Sequence, residues 1–327
     1  MNELERSLAF KPTEADLAYV RALPREQLLK FSVVIPSFNQ GRYIAETIES
    51  VLAQGYPNLE VYVADGGSTD GSVETIASYA SRFPDLIRYD TGPDGGHHHG
   101  VNKGIDQTTG DVIAWINSDD LYLPNSFWVV ATFFHFNRSA FVVYGRNNYV
   151  DDDRNIIVEY PVDWSPLLQE QKRRMMHFCL PPQPSLFFRR SAVQLCGKLN
   201  DRVLDYELWL RWQNNLPFYF IDEYLSLSRV HSDAISVKAD PSLLDAICSV
   251  VHRYYNVVPY SWAMRYAYNR TYGAAWAKGE SPPVTTAVKF RAVVAWARMN
   301  LVGLPLAVAR SSRAFVRLLR EARRPNA

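Results

Sequence analysis

The run V-I-A-W-I-N-S-D-D-L-Y-L-P, from Val112 to Pro124, decides how the rest of the chain is read. Val112 to Ile116 are apolar and read as a buried strand. The strand ends abruptly in Asn117, Ser118, Asp119 and Asp120. Two adjacent carboxylates at the end of a buried strand repel each other and are costly to dehydrate. A divalent cation offsets both costs, and hard oxygen ligands suit Mg or Mn. In an open α/β sheet, ligands bind at the carboxyl ends of strands. The run therefore implies a metal and a phosphorylated ligand at Asp119 and Asp120. The alternative is a loop that leads into the next helix, with Pro124 in its first turn.

Working outward, the segments before Val112 repeat one pattern. Phe31 to Ile35 reads as a buried strand, left through Pro36-Ser37-Phe38-Asn39. Ile44, Ile48, Val51 and Leu52 then fall on one face of a helix. Leu59 to Ala64 is a second strand, ending in D-G-G-S-T-D-G-S, where Ser68 or Asp70 can cap a helix running to about Phe83. Leu86 to Tyr89 is a third strand, and a helix from about His98 to Thr108 leads back to Val112. Strands alternating with helices, each strand followed by a polar glycine-bearing turn, indicate a mostly parallel sheet with helices on both faces. Past Pro124 the pattern changes. An aromatic-rich helix is expected over Phe127 to Phe136 and a strand over Ala140 to Tyr144. Asp151-Asp152-Asp153 reads as a solvated hairpin tip, and Pro181-Pro182-Gln183-Pro184 as a rigid extended segment before a short strand, Ser185 to Phe188. A helix starts near Asp205, and the chain beyond about Asp240 is expected to be helical.

With 327 residues, 47% of them hydrophobic and 21% charged, the chain has the makeup of a globular protein. Three parts are expected: a helical extension over 1–30, an α/β domain over 31–240, and a helical region over 241–327. Cys179, Cys196 and Cys248 show neither metal nor disulfide spacing, which points to a reducing compartment. The first 30 residues lack the apolar core of a signal peptide, and no apolar run is long enough to span a bilayer. The expected location is cytoplasmic. The net charge of +1 hides an asymmetry: Val284 to Ala327 carries nine basic residues against Glu321 alone, so this tail holds +8 and the remainder −7. Ala314, Phe315, Leu318 and Leu319 share one face there, while Arg313, Arg317, Arg320 and Arg324 form a basic stripe. Such a helix suits the inner face of a membrane with anionic lipid. The alternative is a helix packed on the protein's own acidic body or in a dimer.

Several motifs are absent. The first turn reads P-S-F-N-Q-G in place of the glycine fingerprint of a dinucleotide site, no phosphate-binding G-x-x-x-x-G-K-[ST] occurs, and D-G-G-S-T-D-G has the wrong spacing for an EF-hand. The motifs that are present, V-V-I-P-S-F-N-Q, V-A-D-G-G-S-T-D-G-S, N-K-G-I, T-G-D-V-I-A-W-I-N-S-D-D-L-Y-L-P, D-Y-E-L-W-L-R and R-V-H-S-D-A-I-S, resemble in order and spacing those of the family 2 glycosyltransferases. These enzymes have the GT-A fold, a mostly parallel nucleotide-sugar-binding sheet flanked by helices. The resemblance covers about Phe31 to Ser236.

The resemblance implies roles for individual residues. Pro36, Ser37 and Asn39 would line the nucleotide pocket, with Gly67, Lys103, Ser118 and Asp119. Asp65 would accept a hydrogen bond from the base, as in relatives that read uracil; a carboxylate is acceptor-only. Asp119 and Asp120 correspond to the family's acidic metal motif, with Asp120 the direct ligand. Asn117 stands where many relatives have aspartate, so the site holds one charge fewer. His231 falls where relatives place a histidine on the metal or the diphosphate. Arg229 would pair with phosphate oxygens. Asp205 matches the catalytic carboxylate, at a helix start whose dipole favours its ionised form, though Leu204 replaces the acidic residue that usually precedes it. Trp209 shares its helix face and could meet an acceptor sugar, the alternative being a place in the core. Gln183 matches a position near the acceptor. His97-His98-His99 is a tract in which one ring, such as His99, lines the pocket; adjacent residues cannot all point at one ion.

These roles imply an inverting, metal-dependent enzyme (Mn or Mg). It would transfer a sugar from a nucleotide-diphosphate donor, a UDP sugar first of all, to a glycan or lipid-linked acceptor in surface polysaccharide synthesis. Nucleic acid is not an expected partner. A non-catalytic sugar-nucleotide-binding scaffold is the alternative. A nucleotidyltransferase would need a glycine-rich basic loop after the first strand, which P-S-F-N-Q-G-R does not supply.

Overall fold

The computed structural model describes residues 9–200, 203–231, 241–276 and 282–300. They fall into two compact units that divide after Val230, with Met175–Phe178 going to the second.

The first unit is built on a nine-stranded sheet. Its parallel half consists of β1 (Phe31–Ser37), β2 (Leu59–Asp65), β3 (Ile87–Thr91) and β4 (Val112–Trp115), ordered β3-β2-β1-β4. Crossovers between parallel strands need helices, and α1 (Glu14–Arg21) is followed by three of them: α2 (Ile44–Leu52), α3 (Ser72–Arg82) and α4 (His97–Gln107). Strand β1 is buried along its whole length, as a strand covered on both faces must be. Beneath it lies one apolar cluster of β1, β2 and β4 residues, including Phe31, Val33, Ile35, Val63 and Ala114, packed with Ile44, Ile48 and Val51 of α2. On the opposite face α4 approaches so closely that a Cβ on Gly104 would stand 2.3 Å from a Val34 methyl carbon, so only glycine fits.

Beyond β4 the sheet becomes mixed. It continues through β8 (Leu186–Arg189), antiparallel to β4 and to β6 (Val142–Val150), then to β9 (Phe218–Arg229) parallel to β6, and ends at the short β5 (Leu121–Tyr122). Strand β7 (Ile156–Glu159) pairs with β6 as a hairpin, so the three aspartates do sit at its tip. The helix after the acidic run, α5 (Ser126–Phe136), starts one residue before the expected Phe127 and leaves Pro124 outside its first turn. Pro124 precedes it, and Asn125 occupies the left-handed region at φ 67° as its N-cap. The 3₁₀ turn Gln183–Ser185 replaces the extended segment expected there. In the described residues before β1, Thr13 and Asp16 close a capping box on α1, and Phe10 exchanges backbone hydrogen bonds with Phe220 and Asp222.

The remaining helices of the first unit are α6 (Leu168–Met175), α7 (Arg190–Cys196) and α8 (Leu204–Gln213). The second unit is helical where it is described: α9 (Pro241–Tyr255), α10 (Tyr260–Trp276) and α11 (Thr286–Asn300). Ala267 of α10 packs with Val288 and Ala292 of α11, while Phe290 of α11 is exposed. The amphipathic stripe from Arg310 to Arg324 lies outside the described residues. Among the described residues, no helix is long and apolar enough to cross a membrane.

Candidate functional site

The carboxyl ends of β1, β2 and β4 meet at one edge of the sheet, and their turns are tied to each other. Asn39, at φ 52°, donates its backbone N–H to Ser68 Oγ (2.8 Å) and accepts the Thr69 N–H on its side chain (3.0 Å). Gly41 N–H donates to Asp70 (2.8 Å) and Gly66 N–H to the Ser37 carbonyl (2.8 Å). Asn39 is thus a structural link between turns, which the sequence pattern did not reveal.

Asp65 is buried, and its carboxylate already accepts hydrogen bonds from the protein. One oxygen accepts the N–H groups of Gly67 (3.0 Å) and Ser68 (2.9 Å) and the Thr91 hydroxyl (2.7 Å); the other accepts Ser68 Oγ (2.5 Å). Asp65 thus organises its turn, and Oδ1, with a single donor, keeps a lone pair for the base contact that the resemblance implies. Two residues missed in the sequence face this turn. Phe38 is 60% exposed, unusual for a phenylalanine, and its ring edge lies 3.3 Å from where a Cβ on Gly66 would stand. Asp94 Oδ1 is 3.5 Å from the same point. Asp94 Oδ1 also accepts the Gly96 N–H (2.9 Å), and an aromatic ring with a carboxylate beside this glycine suits a planar base. Pro36 and Ser37 line the buried side, and Ser37 Oγ has no protein partner among the described residues. Gly67, at φ 88°, keeps the turn tight. Lys103 is ion-paired with Asp90 at the end of β3.

At the end of β4 the two aspartates diverge. Asp120 is buried: Oδ1 accepts the Arg229 backbone N–H (3.0 Å), and Oδ2 is 3.5 Å from the Asn117 amide nitrogen. Burial, and then the charge of Asp119, push its carboxyl well above the usual range. Asp119 is half-buried and the more accessible of the pair, while Ser118 is buried. Asp120 is thus held by the protein's own N–H groups, and Asp119 is the carboxylate of the pair with the greater access to solvent. Among the described residues no three His, Cys, Asp or Glu side chains form a ready metal cage. The donor set fits an oxygen-loving divalent ion that keeps waters and binds through one or two carboxylates together with phosphate oxygens.

Arg229 does not face a phosphate pocket. Its guanidinium is only 3% exposed and pairs with Glu46 (2.8 Å), with further bonds to the carbonyls of Asp119 (3.2 Å) and Asp152 (3.4 Å). His231 is buried and belongs to the second unit, so it stands outside the geometry described for this turn.

The three histidines separate. His97 Nε2 is 3.0 Å from Asn117 Oδ1, and burial pulls its pKa down, which favours the neutral ring. His98 and His99 turn outward with their rings perpendicular, on a cavity of about 480 Å3 that Lys103, Asp106 and Asn200 also line. Gln183 donates its amide N–H to the Trp115 carbonyl (2.7 Å). Trp115 packs against Trp209 of α8, with ring centroids 6.5 Å apart. That contact brings the helix of Asp205 to the end of β4. Trp209 itself is fully buried against Phe188, Phe218 and Trp212. It is a core residue, not a platform for an acceptor.

Asp205 is the second residue of α8, after Val203 as N-cap. Dehydration pushes its carboxyl up to about 6, against the lowering effect of the Tyr206 N–H (2.8 Å). The expected preference for the ionised form is outweighed by dehydration. Glu207, two residues further on, is buried and pairs with Arg211 (3.1 Å).

A family model described as "Glycosyl transferase family 2" matches residues 32–194. An uncharacterised glycosyltransferase of Rickettsia conorii is 30% identical over 220 residues, which are 63% of this chain and 35% of that protein. The chain thus spans about a third of that relative's length. Among solved structures, TarS 1-349 of S. aureus in complex with UDP-GlcNAc superposes with a TM-score of 0.56 at 16% identity, covering 90% of each chain. The mannosyltransferase PcManGT of Pyrobaculum calidifontis, in complex with GDP-Man and Mn2+, gives 0.50 at 17% identity, covering 93% of this chain and 84% of that one.

Proposed function

The chain belongs to glycosyltransferase family 2, and from that premise we propose that it transfers a sugar, with inversion, from a nucleotide-diphosphate donor to a hydroxyl of a glycan or lipid-linked acceptor. One observation supports the reading: Trp115 at the end of β4 packs against Trp209 of α8, which sets the helix of Asp205 beside the strand that leads to the acidic pair. A UDP sugar is the donor most in keeping with the UDP-GlcNAc complex of the structural neighbour. Phe38 and Asp94 would hold the base, and Ser37 and the Gly67 turn the sugar-phosphate backbone. Asp119 would hold Mn or Mg. When bound, such an ion neutralises the diphosphate as it leaves.

Asp205 would take the proton of the acceptor hydroxyl as that oxygen forms a bond to the anomeric carbon. The bond from that carbon to the diphosphate breaks on the opposite face, so the configuration inverts. A carboxylate of pKa about 6 is mostly ionised at neutral pH yet more basic than an exposed one. Gln183 and the cavity beside His99 are candidates for the acceptor side.

Thermal shifts with a panel of nucleotide sugars and Mn should show one donor raising the melting temperature selectively. With that donor, transfer should be detectable and should depend on the divalent ion. Full activity in chelator would refute the metal role, and selective binding with no transfer or donor hydrolysis would favour the scaffold.

A further inference from the structure

Arg229 is the hub of four segments that the sequence leaves far apart. Its backbone N–H holds the Asp120 carboxylate (3.0 Å), and its Nε holds the backbone carbonyl of Asp119 (3.2 Å). Its terminal nitrogens reach the Glu46 carboxylate on α2 (2.8 Å) and the Asp152 carbonyl at the hairpin tip (3.4 Å). The Tyr43 ring lies 4.7 Å from the guanidinium carbon, and the Tyr43 hydroxyl donates to the Asp152 carboxylate (2.9 Å), which also pairs with Arg42 (2.9 Å). Asp120 is tied again through its carbonyl, which accepts the Thr47 hydroxyl (2.8 Å). A planar guanidinium fork gripped on several sides fixes orientation in a way a lysine ammonium does not.

We infer that Arg229 is a positioning residue: it fixes the backbone at Asp119, and through it the direction of the Asp119 carboxylate towards a cation-bound nucleotide diphosphate. The inference rests on the donor reading above. Arg229 does not touch the donor. It determines how tightly the turn receives a cation with a diphosphate, not how fast the bond is made. The hairpin tip then braces the acidic turn from outside the sheet.

The test is Mn2+ binding in the presence of UDP, followed by electron paramagnetic resonance, for the wild type, Arg229→Lys and Glu46→Gln. Outer partners of metal ligands typically set affinity by roughly 10- to 100-fold, so Arg229→Lys should weaken Mn2+–UDP binding by about tenfold or more. Glu46 is 42% exposed, so Glu46→Gln should fold and should weaken binding by a few-fold. In turnover, the KM for metal and donor should rise while kcat at saturating metal stays within about threefold. Folded variants that bind Mn2+–UDP like the wild type would overturn the inference, as would a fall in kcat with binding unchanged. If Arg229→Lys does not fold, unchanged affinity in Glu46→Gln overturns it alone. A wild type that itself fails to bind Mn2+–UDP overturns the donor reading and this inference with it.

Discussion

Asp120 and Asp205 are both carboxyl groups pushed upward by burial, yet their surroundings differ. Asp120 sits in a corner made for it, between the Arg229 backbone and the Asn117 amide, with the Asp119 charge against it. Asp205 is set by dehydration and backbone N–H groups, with no neighbouring charge among the causes of its shift. The first is a strut that shapes a loop, and the second, on the proposed function, is the group that exchanges a proton. Two acids that look alike in a motif thus do different work, and the partners distinguish them.

That contrast can be broken in several places. The largest effect is expected at Asp119: Asp119→Asn should lower metal-dependent turnover by about 10^2-fold, with little change in melting temperature. Normal turnover would return the ligand role to Asp120. Next comes pH. Asp205 works ionised, so kcat/KM should fall about tenfold per pH unit below about 6 and level off above it. The stability effect runs the other way. A folded-state pKa above the unfolded value makes the native state bind the proton more tightly, so the Asp205 contribution is greatest in acid and is lost as pH rises through about 6. An Asp205→Asn protein should lose both the activity limb and this stability slope, as read by rate profiles and by melting across pH.

Asp120→Ala should cost about 1–3 kcal/mol of stability, because the Arg229 N–H is left buried without its acceptor; denaturant unfolding reads this. The smallest effect on function is expected at Trp209→Phe. It should lower the melting temperature by a few degrees through lost packing, while the KM for acceptor stays within twofold.

Much of the frame was legible in the sequence because burial period and turn residues carry it. The alternation of Phe31–Ile35, Leu59–Ala64, Leu86–Tyr89 and Val112–Ile116 with helices predicts the parallel half of the sheet, which the structure contains. The mixed half was less legible, because β8 inserts between β4 and β6 by contacts distant in sequence. Within the site, Asp65 and Arg229 were read as ligand contacts because a motif shows residue type and order. It does not show that Ser68 and Thr91 already donate to one carboxylate, or that Glu46 and Asp152 already engage the guanidinium. Phe38 carried a signal that could have been used: an aromatic residue in a polar turn just after a buried strand is either exposed or in contact with a ligand.

The most direct measurement compares sugar transfer by Asp205→Asn and Asp120→Asn, side by side, at saturating Mn2+ and donor. The account predicts that Asp205→Asn loses transfer by about 10^3-fold while binding Mn2+–UDP within threefold of the wild type. Asp120→Asn, whose amide oxygen can still accept the Arg229 N–H, should keep transfer within about tenfold. The reverse pattern, with transfer retained in Asp205→Asn and abolished in Asp120→Asn, would contradict the division of labour between the two acids.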